Sequence, residues 1–144
     1  MPDDSVSWPE VVARLAQRAA TGCAPPCLPR PAPIWGVVTD HTLDLYSERR
    51  TVKARNLAAD PRVVVHLESA EDVVIVRGTA KDLGTPAQVS EVVMALSAKY
   101  ALEADRQCLP DADPDFDIVY AVRPQSAIIR RLADYEGSQR RWTS

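Results

Sequence analysis

Three cations surround a threonine at the start of a predicted helix. Arg49, Arg50 and Lys53 lie around Thr51 in the segment YSERRTVKARNLAADPRV, which spans 46–63. The start of a helix carries a partial positive charge from its aligned peptide dipoles, so acidic side chains are favoured there and basic ones are not. The pattern therefore indicates that a negatively charged partner belongs at this position.

A helix that begins at Thr51 would supply the other half of an anion site. With Thr51 as the N-cap, Val52, Lys53 and Ala54 offer N–H groups that have no partner within the helix. Backbone donors, helix dipole and cationic side chains together favour an anion, most naturally a phosphate. The alternative is that the cations are solvated on the surface of a short helix, and spacing alone does not distinguish the two.

The elements that must position this site can be predicted from capping patterns and periodicity. The sequences SWPE and TPAQ have the form of capping boxes and precede apolar residues at helical spacing. Asp60-Pro61 ends the helix that follows Thr51. The predicted helices span 8–20, 52–59 and 86 to about 100.

The remaining segments read mostly as strands. Six runs rich in β-branched and alternating apolar residues are predicted to be strands, at 34–38, 42–47, 62–68, 73–83, 118–124 and 126–132. Five prolines remove backbone donors from the sequence GCAPPCLPRPAP, so the segment 21–33 is expected to be a loop or an edge segment. Without a βαβ rhythm, the pattern favours an α+β fold, mainly β, built on an antiparallel sheet or barrel.

Composition limits the possible functions. The chain has 144 residues, 46% of them hydrophobic and 26% charged, which fits one globular domain over 1–144. A net charge of −3 gives no broad footprint for nucleic acid. No apolar run is long enough to span a bilayer, and the acidic N-terminus is unlike a secretory signal, so a cytoplasmic location is expected. Three cysteines without a second Cys/His pair indicate free thiols and no metal site.

Several of these motifs resemble one known superfamily. The stretches TVKARNLAADPRVVVHLE, VVIVRGTAKDL, PIWGVV, AKY and the terminal RRW are similar to the flavin- and deazaflavin-dependent oxidoreductases related to pyridoxamine 5′-phosphate oxidase. The resemblance covers most of 8–142, and the basic turn before K-x-x-N-L-x-x-D-P is its most specific part. It implies a six-stranded antiparallel split β-barrel with a few flanking helices, and a homodimer that holds cofactors in clefts between its subunits.

The resemblance also implies a set of cofactor-binding residues. The basic turn and helix start would hold the cofactor phosphate through Arg50, Thr51 and Lys53, with Ser47, Arg49, Arg55 and Asn56 as neighbours. Trp35, Gly36 and Val37 would lie beside the cofactor ring, and Trp142 in the aromatic-basic tail near the cofactor or the dimer interface. The cofactor carries the hydride chemistry in such enzymes, so the sequence demands no catalytic side chain.

The resemblance leaves two functions open. The first is an oxidoreductase that transfers hydride between reduced coenzyme F420 or FMN and a small unsaturated or conjugated substrate. Coenzyme F420 is preferred, because its oligoglutamate tail suits the additional cations Arg49, Arg50 and Arg55. The second is a non-catalytic protein that binds a flavin, a haem-like tetrapyrrole or another phosphorylated ligand. In the superfamily a hairpin normally occupies 21–33 and forms part of the cofactor wall, so its replacement by a proline-rich segment affects both of these functions.

Overall fold

The computed structural model describes residues 5–15, 20–24 and 30–144. Its elements are α1 (Trp8–Leu15), β1 (Ala20–Ala24), β2 (Arg30–Ile34), β3 (Gly36–Thr39), β4 (Thr42–Ser47), α2 (Val52–Ala59), β5 (Arg62–Leu67), β6 (Asp72–Gly84), α3 (Ser90–Lys99), β7 (Ile118–Arg131) and β8 (Arg140–Thr143). The strands form one antiparallel sheet in the order β2-β1-β5-β6-β7-β4-β3, with β8 also paired to β7. The predicted class, mainly β and antiparallel with flanking helices, is confirmed.

All six runs predicted as strands lie in this sheet, but the last two form a single strand. β7 continues through Pro124, which falls between the residues paired to β4, 118–122, and those paired to β8, 126–129. A proline removes a backbone donor, and among the described strands only β6 pairs with β7 at this position. The partner strand of β7 therefore changes from β4 to β8 at Pro124.

The described parts of the proline-rich segment form two paired strands where the sequence was expected to lack a hairpin; residues 25–29 between them lie outside the described residues. β1 pairs with β2 from Ala20↔Ile34 to Ala24↔Arg30, and β1 also pairs with β5. β2 is an edge strand, and Pro31 and Pro33 are two residues apart, so both missing donors fall on the same side of it. An edge strand tolerates prolines in this arrangement. The expectation of an edge segment is thus confirmed, and that of a missing hairpin is wrong.

The three predicted helices are confirmed, but α1 ends and α3 begins at other residues than predicted. α2 has the predicted bounds, and α3 is preceded by a short 3₁₀ turn at 86–88 in which Thr85 and Gln88 form the predicted capping box. The first helix was expected to reach residue 20, but Ala20 begins β1, and 16–19 lie outside the described residues. No helix in the described ranges is long and apolar enough to cross a membrane.

Close packing in the middle of the sheet explains one motif glycine. Gly78, in the sequence GTA, pairs with Pro124 at a register shift between β6 and β7. A Cβ atom at this position would lie 2.3 Å from the carbonyl oxygen of Arg123, so any larger residue would displace the backbone. The glycine allows β6 and β7 to approach where β7 changes partners.

Candidate functional site

Thr51 caps α2 as the sequence predicts. Its Oγ1 accepts a hydrogen bond from the Ala54 N–H at 3.2 Å and donates one to the Glu48 carbonyl at 2.8 Å. The expectation of three unpaired N–H groups is corrected, because the cap itself satisfies Ala54. In the described part of the chain, the N–H groups of Val52 and Lys53 have no protein partner, and they remain available to a ligand.

The two arginines of the basic turn already have acidic partners. Arg49 donates from both terminal nitrogens to the Asp82 carboxylate, at 3.1 and 3.3 Å. Arg50 donates to Glu48 at 2.6 Å and lies 3.6 Å from Asp115. Both arginines are exposed, so these are surface ion pairs of small energetic weight. The interpretation of solvated surface cations therefore describes Arg49 and Arg50 well.

Lys53 differs from both arginines. Its side chain is half-buried, and among the described residues its ammonium makes neither a hydrogen bond nor an ion pair. Burial lowers the pKa of Lys53, while the charge of Glu48 acts in the opposite direction. A cation held partly out of water without a close partner is stabilised by an incoming anion. Lys53 is thus the cation of the basic turn best prepared to bind one.

A cavity of about 360 Å³ opens beside Lys53. This volume lies within the usual range for sites that hold small ligands. It is lined by Ile34, Trp35, Tyr46, Ser47, Glu48, Thr51, Lys53, Cys108 and Phe116. We call it the Lys53 cavity.

One wall of the Lys53 cavity is polar and the other is aromatic. Ser47 is only 3% exposed, and its Oγ lies 3.5 Å from Oγ1 of Thr51. On the aromatic side, Tyr46 meets Phe116 edge to face with ring centroids 4.8 Å apart, and its hydroxyl donates to the Cys108 carbonyl at 2.6 Å. Burial is the main cause that raises the pKa of Tyr46, so its hydroxyl stays protonated.

The predicted ring-contact segment divides at Trp35. Trp35 lines the cavity, and its ring stacks on Tyr100 with centroids 4.6 Å apart and planes 14° apart. Gly36 and Val37 do not line it: Gly36 is held by the end of α3, and Val37 packs in the apolar cluster beneath that helix. Among the three, only Trp35 presents a surface to a ligand in this cavity.

The other predicted cofactor residues on α2 lie away from the Lys53 cavity. Arg55 and Arg49 line a second, smaller pocket of about 190 Å³ with Asp82 and Tyr120. Asn56 uses its backbone carbonyl to accept from the Asp60 N–H at 2.8 Å, near the other end of the helix. The structure thus separates the polar residues into one group at the Lys53 cavity (Ser47, Thr51, Lys53) and another outside it (Arg49, Arg50, Arg55, Asn56).

Trp142 lies at the opposite end of β4 from Lys53. Its ring packs on Trp8 with centroids 4.7 Å apart, and both rings line a larger, mainly apolar cavity of about 900 Å³. Thr42 lines that cavity and Ser47 lines the Lys53 cavity. Thr42 and Ser47 are the first and last residues of β4, so they lie roughly 17 Å apart at the usual rise of a strand. Despite its size, the larger cavity lacks the convergence of a helix start, a half-buried ammonium and buried hydroxyls.

Five residues that line the Lys53 cavity were not among the predicted site residues: Ile34, Tyr46, Glu48, Cys108 and Phe116. Tyr46, Cys108 and Phe116 come from β4 and from the acidic, proline-containing segment before β7. The interval of 62 residues between Tyr46 and Cys108 carries no periodic signal, because only the folded sheet brings them together. Among the described residues, no cluster of His, Cys, Asp and Glu could hold a metal ion.

Comparison with known proteins gives a consistent fold. No protein-family model and no curated protein sequence matches the chain. Solved structures do match. A haem-binding protein from Mycobacterium smegmatis matches with a TM-score of 0.70 and 19% identity over 93% of this chain, which corresponds to 56% of that protein's length.

Two further structures match more of their own length. A conserved hypothetical protein from Mycobacterium tuberculosis has a TM-score of 0.68 and 20% identity, and the match covers 99% of this chain and 88% of that one. An F420 reductase has a TM-score of 0.61 and 20% identity over 79% of this chain and 93% of that one. At such identities the matches establish the fold, which is the split barrel expected from the sequence motifs.

Proposed function

We propose that this chain, a split barrel of the pyridoxamine 5′-phosphate oxidase type, binds a phosphorylated flavin or deazaflavin at the Lys53 cavity and acts as an oxidoreductase. The observation that carries the proposal is the half-buried side chain of Lys53, which has no close partner among the described residues and belongs to the first turn of α2, where the N–H groups of Val52 and Lys53 are free. A phosphate supplies the missing charge and accepts from all of these donors.

The types of residue that line the cavity are suited to such a cofactor. The Lys53 ammonium and the Ser47 hydroxyl line the cavity, and the amides of Val52 and Lys53 are free at the adjoining helix start, a set of donors suited to a phosphate. Trp35 gives the cavity an aromatic surface suited to a flat ring. Glu48 also lines the cavity, but its carboxylate is paired with Arg50, which reduces its repulsion of an anion.

The bound cofactor would supply hydride transfer to or from a small unsaturated or conjugated substrate. The chain would bind the phosphate, orient the ring and exclude water. Consistent with this division, the buried Tyr46 hydroxyl is committed to the Cys108 carbonyl rather than to proton exchange. A solved structure with the same fold is described as an F420 reductase, which supports this class of reaction.

A homodimer is part of the proposal. The cavity beside Trp8 and Trp142 is mainly apolar and open, and a second copy would cover such a surface. Because Trp142 and Lys53 line separate cavities within one subunit, we propose that Trp142 approaches the cofactor from the other subunit. The dimer thus joins two predicted cofactor groups that one subunit keeps apart.

Coenzyme F420 remains our preferred cofactor over FMN. Its oligoglutamate tail would use the positive charge of Arg55, which lines a pocket outside the Lys53 cavity beside the Arg49–Asp82 pair. The test is titration of the purified protein with each cofactor at two salt concentrations. We expect F420 to bind more tightly and to lose more affinity with salt, because more ion contacts are screened. Tighter or equal FMN binding with the same salt response would contradict the preference.

A non-catalytic binding protein is the second candidate. A protein with the same fold is described as haem-binding, which favours this candidate. The absorption spectrum of the purified protein distinguishes flavin, deazaflavin and haem. A bound flavin or deazaflavin that is reduced and then reoxidised by an unsaturated substrate supports the enzyme, whereas a stable bound haem supports the alternative.

A further inference from the structure

The end of α3 holds both backbone groups of Gly36. The Gly36 N–H donates to the Tyr100 hydroxyl oxygen at 3.1 Å, and that hydroxyl lies 3.0 Å from the Gly36 carbonyl, to which it can donate. The Lys99 ammonium donates to the same carbonyl at 2.7 Å. Two consecutive residues at one helix end thus bind both backbone groups of a single residue of β3, more than 60 residues away in sequence.

The same helix end also fixes the neighbouring side chain. The Tyr100 ring stacks on Trp35, and the Lys99 ammonium lies 5.2 Å from the centroid of the Tyr100 ring. Trp35 is the residue of this segment that faces the Lys53 cavity. Tyr100 therefore contacts Trp35, the aromatic wall of the cavity, through its ring, and it hydrogen-bonds the adjacent backbone of Gly36 through its hydroxyl.

Burial of the Lys99 ammonium costs free energy unless a partner compensates its charge. The side chain is half-buried, and burial lowers its pKa. An apolar side chain of similar length would occupy the position without this cost. The cost of burying the ammonium is offset by the negative end of the α3 dipole and by the charge-assisted hydrogen bond to the Gly36 carbonyl.

We propose that Lys99 and Tyr100 are positioning residues that fix Trp35 and Gly36 as a preformed wall for the cofactor ring. This inference rests on the proposed function, because it assigns a role to residues behind the same cavity. Neither residue lines the cavity itself. A wall that is ordered before the ligand arrives spares the entropy of ordering it during binding.

The test uses substitutions that keep size and remove donors. Tyr100→Phe keeps the ring stack and removes the hydroxyl, and Lys99→Met keeps the aliphatic length and removes the ammonium. Lys81→Met and Tyr135→Phe are matched controls, because Lys81 and Tyr135 are exposed and far from β3 in sequence. The probes are inorganic phosphate and whichever of FMN and coenzyme F420 binds the wild-type protein more tightly, and thermal unfolding is followed in parallel.

The two probes separate positioning from general stability. Each of the two variants should lose about fivefold to tenfold in cofactor affinity, the scale of one hydrogen bond, and keep its phosphate affinity. The controls should change neither. Unchanged cofactor affinity, with or without a lower melting temperature, would overturn the inference, and so would an equal loss for both probes. Failure of the wild-type protein to bind either cofactor would instead overturn the proposed function, and this inference with it.

Discussion

The guanidinium of Arg50 donates to the carboxylate of Glu48, two residues earlier, at 2.6 Å. Arg49 is likewise paired with Asp82, whereas Lys53 is half-buried and has no ion pair among the described residues. The three cations that look equivalent in sequence are therefore unequal in the folded chain. This inequality gives the site a testable order of importance.

The first prediction compares the three cations by substitution. Lys53→Ala should weaken cofactor binding by about 1–3 kcal/mol, the range for a hydrogen bond to a charged group. Arg49→Ala and Arg50→Ala should each cost less than about 1 kcal/mol, because exposed ion pairs contribute little. Titration calorimetry on all three variants, with Lys81→Ala as an exposed control, measures the order. A loss for Arg50→Ala as large as that for Lys53→Ala would contradict it.

The second prediction concerns stability without ligand. Because burial lowers the pKa of Lys53, the folded state binds this proton less tightly than the unfolded state does. The resulting penalty is complete below the lowered folded-state pKa and fades as pH rises toward the ordinary value of 10.5. Lys53→Met should therefore raise the melting temperature at pH 7, and its advantage should shrink toward pH 10. An unchanged or lower melting temperature at pH 7 would show that burial of the Lys53 ammonium does not destabilise the protein.

The sequence predicts local features of the site much better than its pairings. Thr51 as N-cap and the bounds of α2 follow from neighbouring residues alone, and both are correct. The partners of Arg49 and Tyr46 lie 33 and 62 residues away, so they depend on strand register, which local patterns do not specify. The β1–β2 hairpin was missed for a similar reason: prolines exclude a central strand, but only the sheet order reveals that β2 lies at an edge.

The third prediction concerns a buried carboxylate. Asp44 is 1% exposed, and it accepts hydrogen bonds from the hydroxyls of Thr39 and Thr42, the latter at 2.8 Å. Burial is the largest influence on its pKa, which is raised; the charge of Asp40 acts in the same direction, and the hydroxyls oppose it. The stability from Asp44 is therefore complete below its ordinary pKa of 3.8 and is lost as pH rises through the folded-state value.

Substitution of Asp44 tests this directly. Asp44→Asn should flatten the acidic part of the stability–pH curve, because the amide does not ionise. Asp44→Ala should destabilise the protein by about 1–3 kcal/mol, since the half-buried hydroxyls of Thr39 and Thr42 lose their acceptor. Urea unfolding between pH 4 and pH 8 measures both effects. Parallel curves for the wild-type protein and Asp44→Asn would show that Asp44 does not titrate as described.

The fourth prediction concerns assembly. We expect a homodimer at micromolar concentration, because the mainly apolar cavity beside Trp8 and Trp142 is open in the single chain. Sedimentation velocity measures the mass, and Trp142→Ala should shift the equilibrium toward monomer. A wild-type protein that sediments as a monomer while still binding the cofactor would remove the role proposed for the second subunit.

The central claim is that a cofactor phosphate lies at the start of α2, and amide chemical shifts test it most directly. Labelled protein is titrated with FMN and with coenzyme F420, and the backbone N–H signals are followed by NMR. We expect the largest shifts at the amides of Val52 and Lys53 and at the Trp35 indole, with the amide shifts lost in Lys53→Met and retained in Lys81→Met. Shifts confined to Trp8 and Trp142, or the absence of any shift at the α2 amides, would contradict the account.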